Sequence, residues 1–264
     1  MALSLASAAS AQECKPKIAD SLLSKPGTFI MATSPTLPPM AYADQKGVLK
    51  GLRIDLGYEI AKRLCLKPEY VSTEYAAMIP GLQGRRWDMI NAGLFVTPER
   101  LKLLYMIPYE NLAISISTAV KSGPPITKVD DLSGKKISTD IGGYAERKMK
   151  DLNKEFQTRG LAPMDIALFD GYATVYQALR AGQVDAAVSI DPVAKLYQER
   201  GEFTHALSGM YPTPGSLAFG DKAVADAVAG VLREMETDGS LAKLLDQYGV
   251  GRAEGGVQVL GPKS

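Results

Sequence analysis

The stretch "DMINAGLFVTPERLKLL" (88–104) carries two patterns back to back. Its first half is short and apolar and runs to Gly93, as a buried strand does before a turn. Thr97 then suits an N-cap, Pro98 the first helical position, and Glu99 the positive end of the helix dipole. "TPERLKLL" (97–104) therefore reads as a helix, with Arg100 one turn inside it and close to the strand's carboxyl end.

The same unit recurs on both sides. Upstream, "TFIMAT" (28–33) reads as a strand running into the Pro-rich loop "SPTLPPMAY". "GLRIDLGYEIAKRLC" follows with Leu56, Ile60 and Leu64 at helical spacing, then "PEYV" as a strand and "AAMIPGLQGRR" as a short helix. After "AISISTAVKSGPPI" the alternation restarts with "KKISTDIGG", "AERKMKDLNKEF", "DIALFD", "ATVYQALRAG" and "DAAVSI". Near the C-terminus Val224, Ala227, Val228, Val231, Leu232 and Met235 form one helical stripe. Leu241, Leu244, Leu245 and Tyr248 form a second, with Gly239-Ser240 as break and cap. Strands alternating with helices imply mainly parallel sheets covered on both faces, here in two α/β units.

Composition excludes several classes. At 264 residues the chain can form two modest domains; 46% hydrophobic and 22% charged residues are ordinary for a globular protein. A net charge of +1 gives no reason to expect nucleic acid. No stretch approaches the ~20 apolar residues of a membrane span. The start, "MALSLASAASAQE", is rich in small residues, and Ala9-Ser10-Ala11 fits a signal-peptidase pattern, so export to the periplasm is expected. Cys14 and Cys65 invite one disulfide in an oxidising compartment; two unrelated buried thiols are the alternative. One histidine, His205, among polar residues read as a loop, and two distant cysteines give no zinc site. Neither a GxxxxGK[ST] nor a GxGxxG pattern occurs, and no cofactor is expected.

In open α/β sheets, ligands sit beyond the carboxyl ends of the strands. Here those ends carry "SPTLPPMAY", "GLF", "IGGY" (141–144) and "SID" (189–191). Gly142 and Gly143, before a helix, would leave backbone N–H groups free for an anion.

The chain resembles an extracytoplasmic solute-binding protein of the polar amino acid ABC importer family (family 3, type II periplasmic binding fold). The resemblance runs from about residue 28 to residue 250. It rests on "PPMAYADQKGVLKGLRIDLGYEIAKRL", "GLQGRRWDMINAGLFVTPERLKLLYMIPY", "VDDLSGKKISTDIGG", "YQALRAGQVDAAVSIDPVAKLY" and "AVAGVLREMETDGSLAKLLDQYG", in family order. It implies two lobes, each a mainly parallel sheet flanked by helices, joined by two crossing strands and closing on a ligand like a hinged clamp. Lobe 1 would be residues 28–112 plus 212–264 and lobe 2 residues 113–211, with 1–27 an N-terminal extension. A monomer working with a membrane permease and its ATPase is the implied partnership.

The resemblance also assigns residues. Arg100 matches the arginine that holds the ligand's α-carboxylate with its planar fork, and Gly93 falls where the same ligand region meets a backbone or hydroxyl group. Ser34, Leu37, Met40, Tyr42 and Tyr75 would face the ligand from the first lobe. Leu37 and Met40 stand where aromatic rings are usual, and Phe95 where a small hydroxyl residue is common. In the second lobe a customary threonine pair becomes Gly143 and Tyr144. The strand-end aspartate that pairs with a ligand ammonium aligns with Ile190, and Asp191 lies one place later. One residue along a strand is the opposite face. Either a bulge re-aims Asp191 or the ammonium site is absent, and the expected ligand then has its nitrogen missing, acylated, in a ring or placed elsewhere. The rival class is a cyclohexadienyl-dehydratase-like enzyme on the same fold, for which Glu146 and Asp191 are the candidate acids. A receptor sensor domain is disfavoured, because no membrane segment follows "LGPKS".

Overall fold

The computed structural model describes residues 14–120, 125–248 and 250–262. The signal-peptidase pattern at Ala9-Ser10-Ala11 lies outside them.

The first lobe opens with β1 (Thr28–Thr33), then three short strands, β2 (Thr36–Leu37), β3 (Ala41–Ala43) and β4 (Leu49–Lys50), which form a separate small sheet. There follow α1 (Leu52–Arg63), β5 (Lys67–Ser72), α2 (Tyr75–Gln83), β6 (Met89–Phe95) and α3 (Pro98–Leu101). Strand β7 (Tyr105–Ala119) crosses into the second lobe, built from β8 (Lys136–Asp140), α4 (Tyr144–Thr158), β9 (Asp165–Phe169), α5 (Tyr172–Arg180), β10 (Ala186–Ile190) and α6 (Asp191–Glu199). Strand β11 (Phe203–Phe219) returns, and α7 (Lys222–Thr237), α8 (Ser240–Gln247) and β12 (Gly251–Arg252) finish on the first lobe.

One sheet runs through both lobes in the order β5-β1-β6-β11-β7-β10-β8-β9, with β12 beside β7. Pairing is parallel for β5, β1 and β6 and again for β10, β8 and β9. The antiparallel pair β7–β11 joins the halves and is the pair of crossing strands. On β7, Asn111 pairs with β12 and Ile114 with β10, so the strand changes partners between those residues.

Why these strands are apolar runs is visible in β1. Phe29 and Met31 enter a core with Leu56, Ile60 and the α7 residues Val228, Val231 and Met235; Ile30 and Ala32 enter another with Met78, Trp87 and Ile90. Both faces are covered, so alternation disappears. In the second lobe Ile137 and Val188 pack with Met149, Leu152 and Phe156 of α4.

Three local expectations change. The helix begun at Thr97 ends at Leu101 rather than Leu104, because Leu104 is buried as the chain turns into β7. Residues 203–219, read partly as a loop around His205, form one long strand. Gly209, Pro212 and Pro214 look like breakers, but register shifts between Leu207 and Thr213 absorb them. Residues 14–27 are no free extension: Ile18 and Leu23 are buried, the Lys17 N–H donates to the Leu64 carbonyl at 3.0 Å, and Cys14 is bonded to Cys65. Among the described residues no helix is long and apolar enough to cross a membrane.

Candidate functional site

The strand ends of the two lobes face one another across a closed cleft. Phe95, ending β6, meets Tyr144, opening α4, with ring centroids 4.5 Å apart. Glu99 and Arg147 approach to 3.7 Å across the same gap. The cavity between the lobes leaves about 30 Å³ for the centre of a water-sized molecule, room for about two waters. That space is too small for an amino-acid-sized solute.

From the first lobe the cavity is lined by Ser34, Thr36, Leu37, Arg53, Tyr75 and Gly93 together with Ala92, Phe95 and Leu112. Arg53, on α1, is fully buried; its Nη2 donates to Glu110 Oε1 at 2.9 Å and its Nη1 to the Ala92 carbonyl at 2.7 Å. Burial works against the Arg53 charge, but Glu110 and Tyr109 outweigh it and hold its pKa above the usual arginine value. Burial and then the Glu110 charge drive the Tyr109 hydroxyl far above its usual value. This pair explains Gly93. Its φ is +63°, and an added Cβ would stand 2.0 Å from Arg53 Nη2 and 2.4 Å from Glu110 Oε1. A hydroxyl side chain cannot coexist there with the ion pair.

Arg100 is also buried, at 4% exposure, but is differently placed. Thr97 caps α3 by accepting from the Arg100 backbone N–H, and the guanidinium Nη1 donates to the Phe95 carbonyl at 2.8 Å. Its carbon lies 5.9 Å from the centre of the Tyr75 ring. Arg100 thus sits behind Tyr75 and Phe95, both of which line the cavity, and does not line it itself. No carboxylate among the described residues lies within 4 Å of it, whereas Arg53 has Glu110.

The second lobe contributes Asp140, Tyr144, Gly171, Tyr172 and Ile190. Asp140, the last residue of β8, is 4% exposed, and Thr139 Oγ1 donates to its Oδ1 at 3.3 Å. Burial pushes its pKa up to about 6, although the Tyr172 hydroxyl pulls the other way. Tyr172 in turn is raised well above the usual tyrosine value by burial and by Asp140. Asp140 accounts for Gly143: an added Cβ there would lie 2.6 Å from Asp140 Oδ2.

Several expected site residues lie elsewhere. Met40 is buried in the first-lobe core, where its carbonyl accepts from the Arg53 N–H, and half-buried Tyr42 is outside the cavity. The Gly142 N–H, expected to be free for an anion, donates to Glu146 Oε2 at 2.6 Å, so the helix's own acid occupies it. Asp191 faces away from the cavity that Ile190 lines. Its carboxylate accepts from Ser115 and from the Gly209 N–H. Ser115 also bonds His205 Nε2 at 2.8 Å, so His205 has a partner. No bulge re-aims Asp191, because β10 keeps regular pairing with β7 through Ile190. The lining residues missed in the sequence are Thr36, Arg53, Ala92, Leu112, Asp140, Gly171 and Tyr172. Asp140 had a signal: a charged residue ending an otherwise buried strand.

Two lobes on one crossing-strand pair, with strand ends closing over a small, mainly apolar cavity that holds a few polar groups, define a clamp-type solute receptor. The chain belongs to the bacterial extracellular solute-binding proteins, family 3, whose family model matches residues 29–251. It is 25% identical to the L-cystine-binding protein TcyJ of Escherichia coli K12, over 84% of this chain and 82% of that protein. It is 28% identical to the lysine/arginine/ornithine-binding periplasmic protein of the same strain, over 87% and 90%. Among solved structures it resembles an ancestral arginine-binding protein bound to arginine, with TM-score 0.74, 29% identity, and 84% and 98% coverage. The ancestral amino acid-binding protein AncCDT-1, a precursor of cyclohexadienyl dehydratase, matches with TM-score 0.75, 27% identity, and 84% and 95% coverage.

Proposed function

We propose that this chain is the exported, monomeric binding component of an ABC importer, which captures a small carboxylate-bearing solute between its lobes and hands it to a membrane permease. One observation carries the reading: Arg100 is 4% exposed and meets no acidic side chain among the described residues. A buried cation without a counter-ion is costly, and a ligand carboxylate supplies one in the bidentate geometry a guanidinium favours. The relatives' names, which concern cystine and basic amino acids, support an amino-acid-like solute.

Parting of the lobes separates Phe95 from Tyr144 and opens the route past Tyr75 to the guanidinium. Closure then strips water from the solute, with Leu37, Leu112 and Ile190 supplying apolar walls.

Arg100→Met tests this by differential scanning fluorimetry against a panel of free amino acids and their deaminated analogues. The wild type should gain stability with one class of carboxylate and the variant with none, while the unliganded variant, relieved of a buried unpaired charge, melts no lower than the wild type. Equal stabilisation of the two would return Arg100 to a structural role. A second reading, a dehydratase, is favoured by Asp140 alone, a cleft carboxyl that keeps its proton up to about pH 6. It requires that cyclohexadienyl carboxylates be turned over, which chromatography of an incubated mixture would detect.

A further inference from the structure

The cleft also contains a buried carboxyl with no cationic partner among the described residues. Asp140 is the sole carboxyl among the described cavity-lining residues, and no basic side chain among the described residues lies within 4 Å of it. The other ionisable group of charge-bearing type in the lining, Arg53, is already neutralised by Glu110. With Asp140 ionised, the lining carries one uncompensated negative charge, on the lobe opposite Arg100.

We infer that Asp140 receives the ammonium, or another cationic N–H group, of the solute, replacing a carboxylate at position 190. The inference rests on the proposed function, in which Arg100 takes the carboxylate. Three features support it. Ile190 and Asp140 end neighbouring parts of the same sheet, since β10 pairs directly with β8, so a carboxyl is moved by one strand and stays at the same rim of the cleft. Gly143 has no side chain where one would occupy the Asp140 carboxyl's space, although its φ of −74° suits any residue. Asp191, the remaining candidate, is engaged by Ser115 and Gly209 on the far side. A ligand held between Arg100 and Asp140 therefore carries both an anionic and a cationic group. The nitrogen need not sit where an α-ammonium meets position 190, and a side-chain ammonium or guanidinium satisfies the same geometry.

The test pairs each common L-amino acid, with L-ornithine and L-cystine, against its α-deaminated and Nα-acetyl analogues and, for basic members, its side-chain-acylated analogue. Thermal shift at pH 7.5 selects the best binder and calorimetry measures it. The expected result is that blocking or deleting one nitrogen weakens binding about 30-fold or more. Asp140→Asn should lower affinity for the parent amino acid by a similar factor and erase that discrimination. The wild-type analogue series needs no variant and stands if Asp140→Asn fails to fold. If the nitrogen-free carboxylates bind as tightly as their parents, or Asp140→Asn discriminates like the wild type, the assignment is overturned while the carboxylate reading stands. If no carboxylate of any series binds, both fall.

Discussion

Glu110→Ala attacks the ion pair beneath the cavity. Arg53 and Glu110 have side-chain exposures of 2% and 0%, and their contact is 2.9 Å. Removing the carboxylate leaves the Arg53 guanidinium with one contact, to the Ala92 carbonyl, and with Nε already lacking a partner among the described residues. Arg53 cannot escape by losing its proton, because a guanidinium stays protonated at any working pH. Breaking a buried pair from one side costs about 3–5 kcal/mol. For a chain of this size that corresponds to a fall in Tm of about 10 °C. Urea unfolding of Glu110→Ala, Arg53→Met and the double variant Arg53→Met/Glu110→Leu completes a cycle. Each single change should cost several kcal/mol, and the double change much less than their sum, since apolar replacement of both partners restores balance. A Glu110→Ala variant within about 1 kcal/mol of the wild type would refute the claim that the pair is dry and mutually dependent.

The other expectations are narrower. The Cys14–Cys65 bond closes a loop of 51 residues, worth about 4 kcal/mol by chain entropy, so reductant should lower the melting temperature. Two alkylated thiols in unreduced protein would remove the bond. Asp140 is raised from 3.8 to about 6 in the folded state, so the native protein holds its proton more tightly than the unfolded chain. Its contribution is fully present below pH 3.8 and is lost as pH rises through about 6, up to about 3 kcal/mol in all. The difference in urea midpoint between Asp140→Asn and wild type should therefore grow in the variant's favour across that window; a flat difference would contradict it. Gly143→Ala should displace the Asp140 carboxyl, weakening solute binding in calorimetry with little change in melting. Unchanged affinity would show that the carboxyl position is unimportant.

The α/β alternation was legible because both sheet faces are buried, so Phe29, Ile30, Met31 and Ala32 form an apolar run whichever way each points. β11 was hidden by Gly209, Pro212 and Pro214, whose local preference is overridden by pairing with β7 and by its register shifts. In the cleft, the period of a strand put Ile190 and Asp191 on opposite faces unless a bulge intervened, and the regular pairing of β10 with β7 leaves them there. Arg53 was not legible, since a helix arginine ordinarily faces water and its partner Glu110 lies 57 residues away. Asp140 could be placed at a strand end, but the Ile141 and two glycines that follow make it read as an exposed turn residue rather than a buried one. Only tertiary structure reveals that it is buried with no cation beside it among the described residues. Gly142 failed for a local reason: Glu146 lies one helical turn ahead and reaches back to its N–H.

The most direct test of the carboxylate-binding cleft is native mass spectrometry of wild type and Arg100→Met, each presented with one mixture of amino acids and their deaminated analogues. The expected spectrum shows a one-to-one adduct of a small carboxylate on the wild type and none on the folded variant. Adducts of equal abundance on both proteins, or none on either, would contradict it.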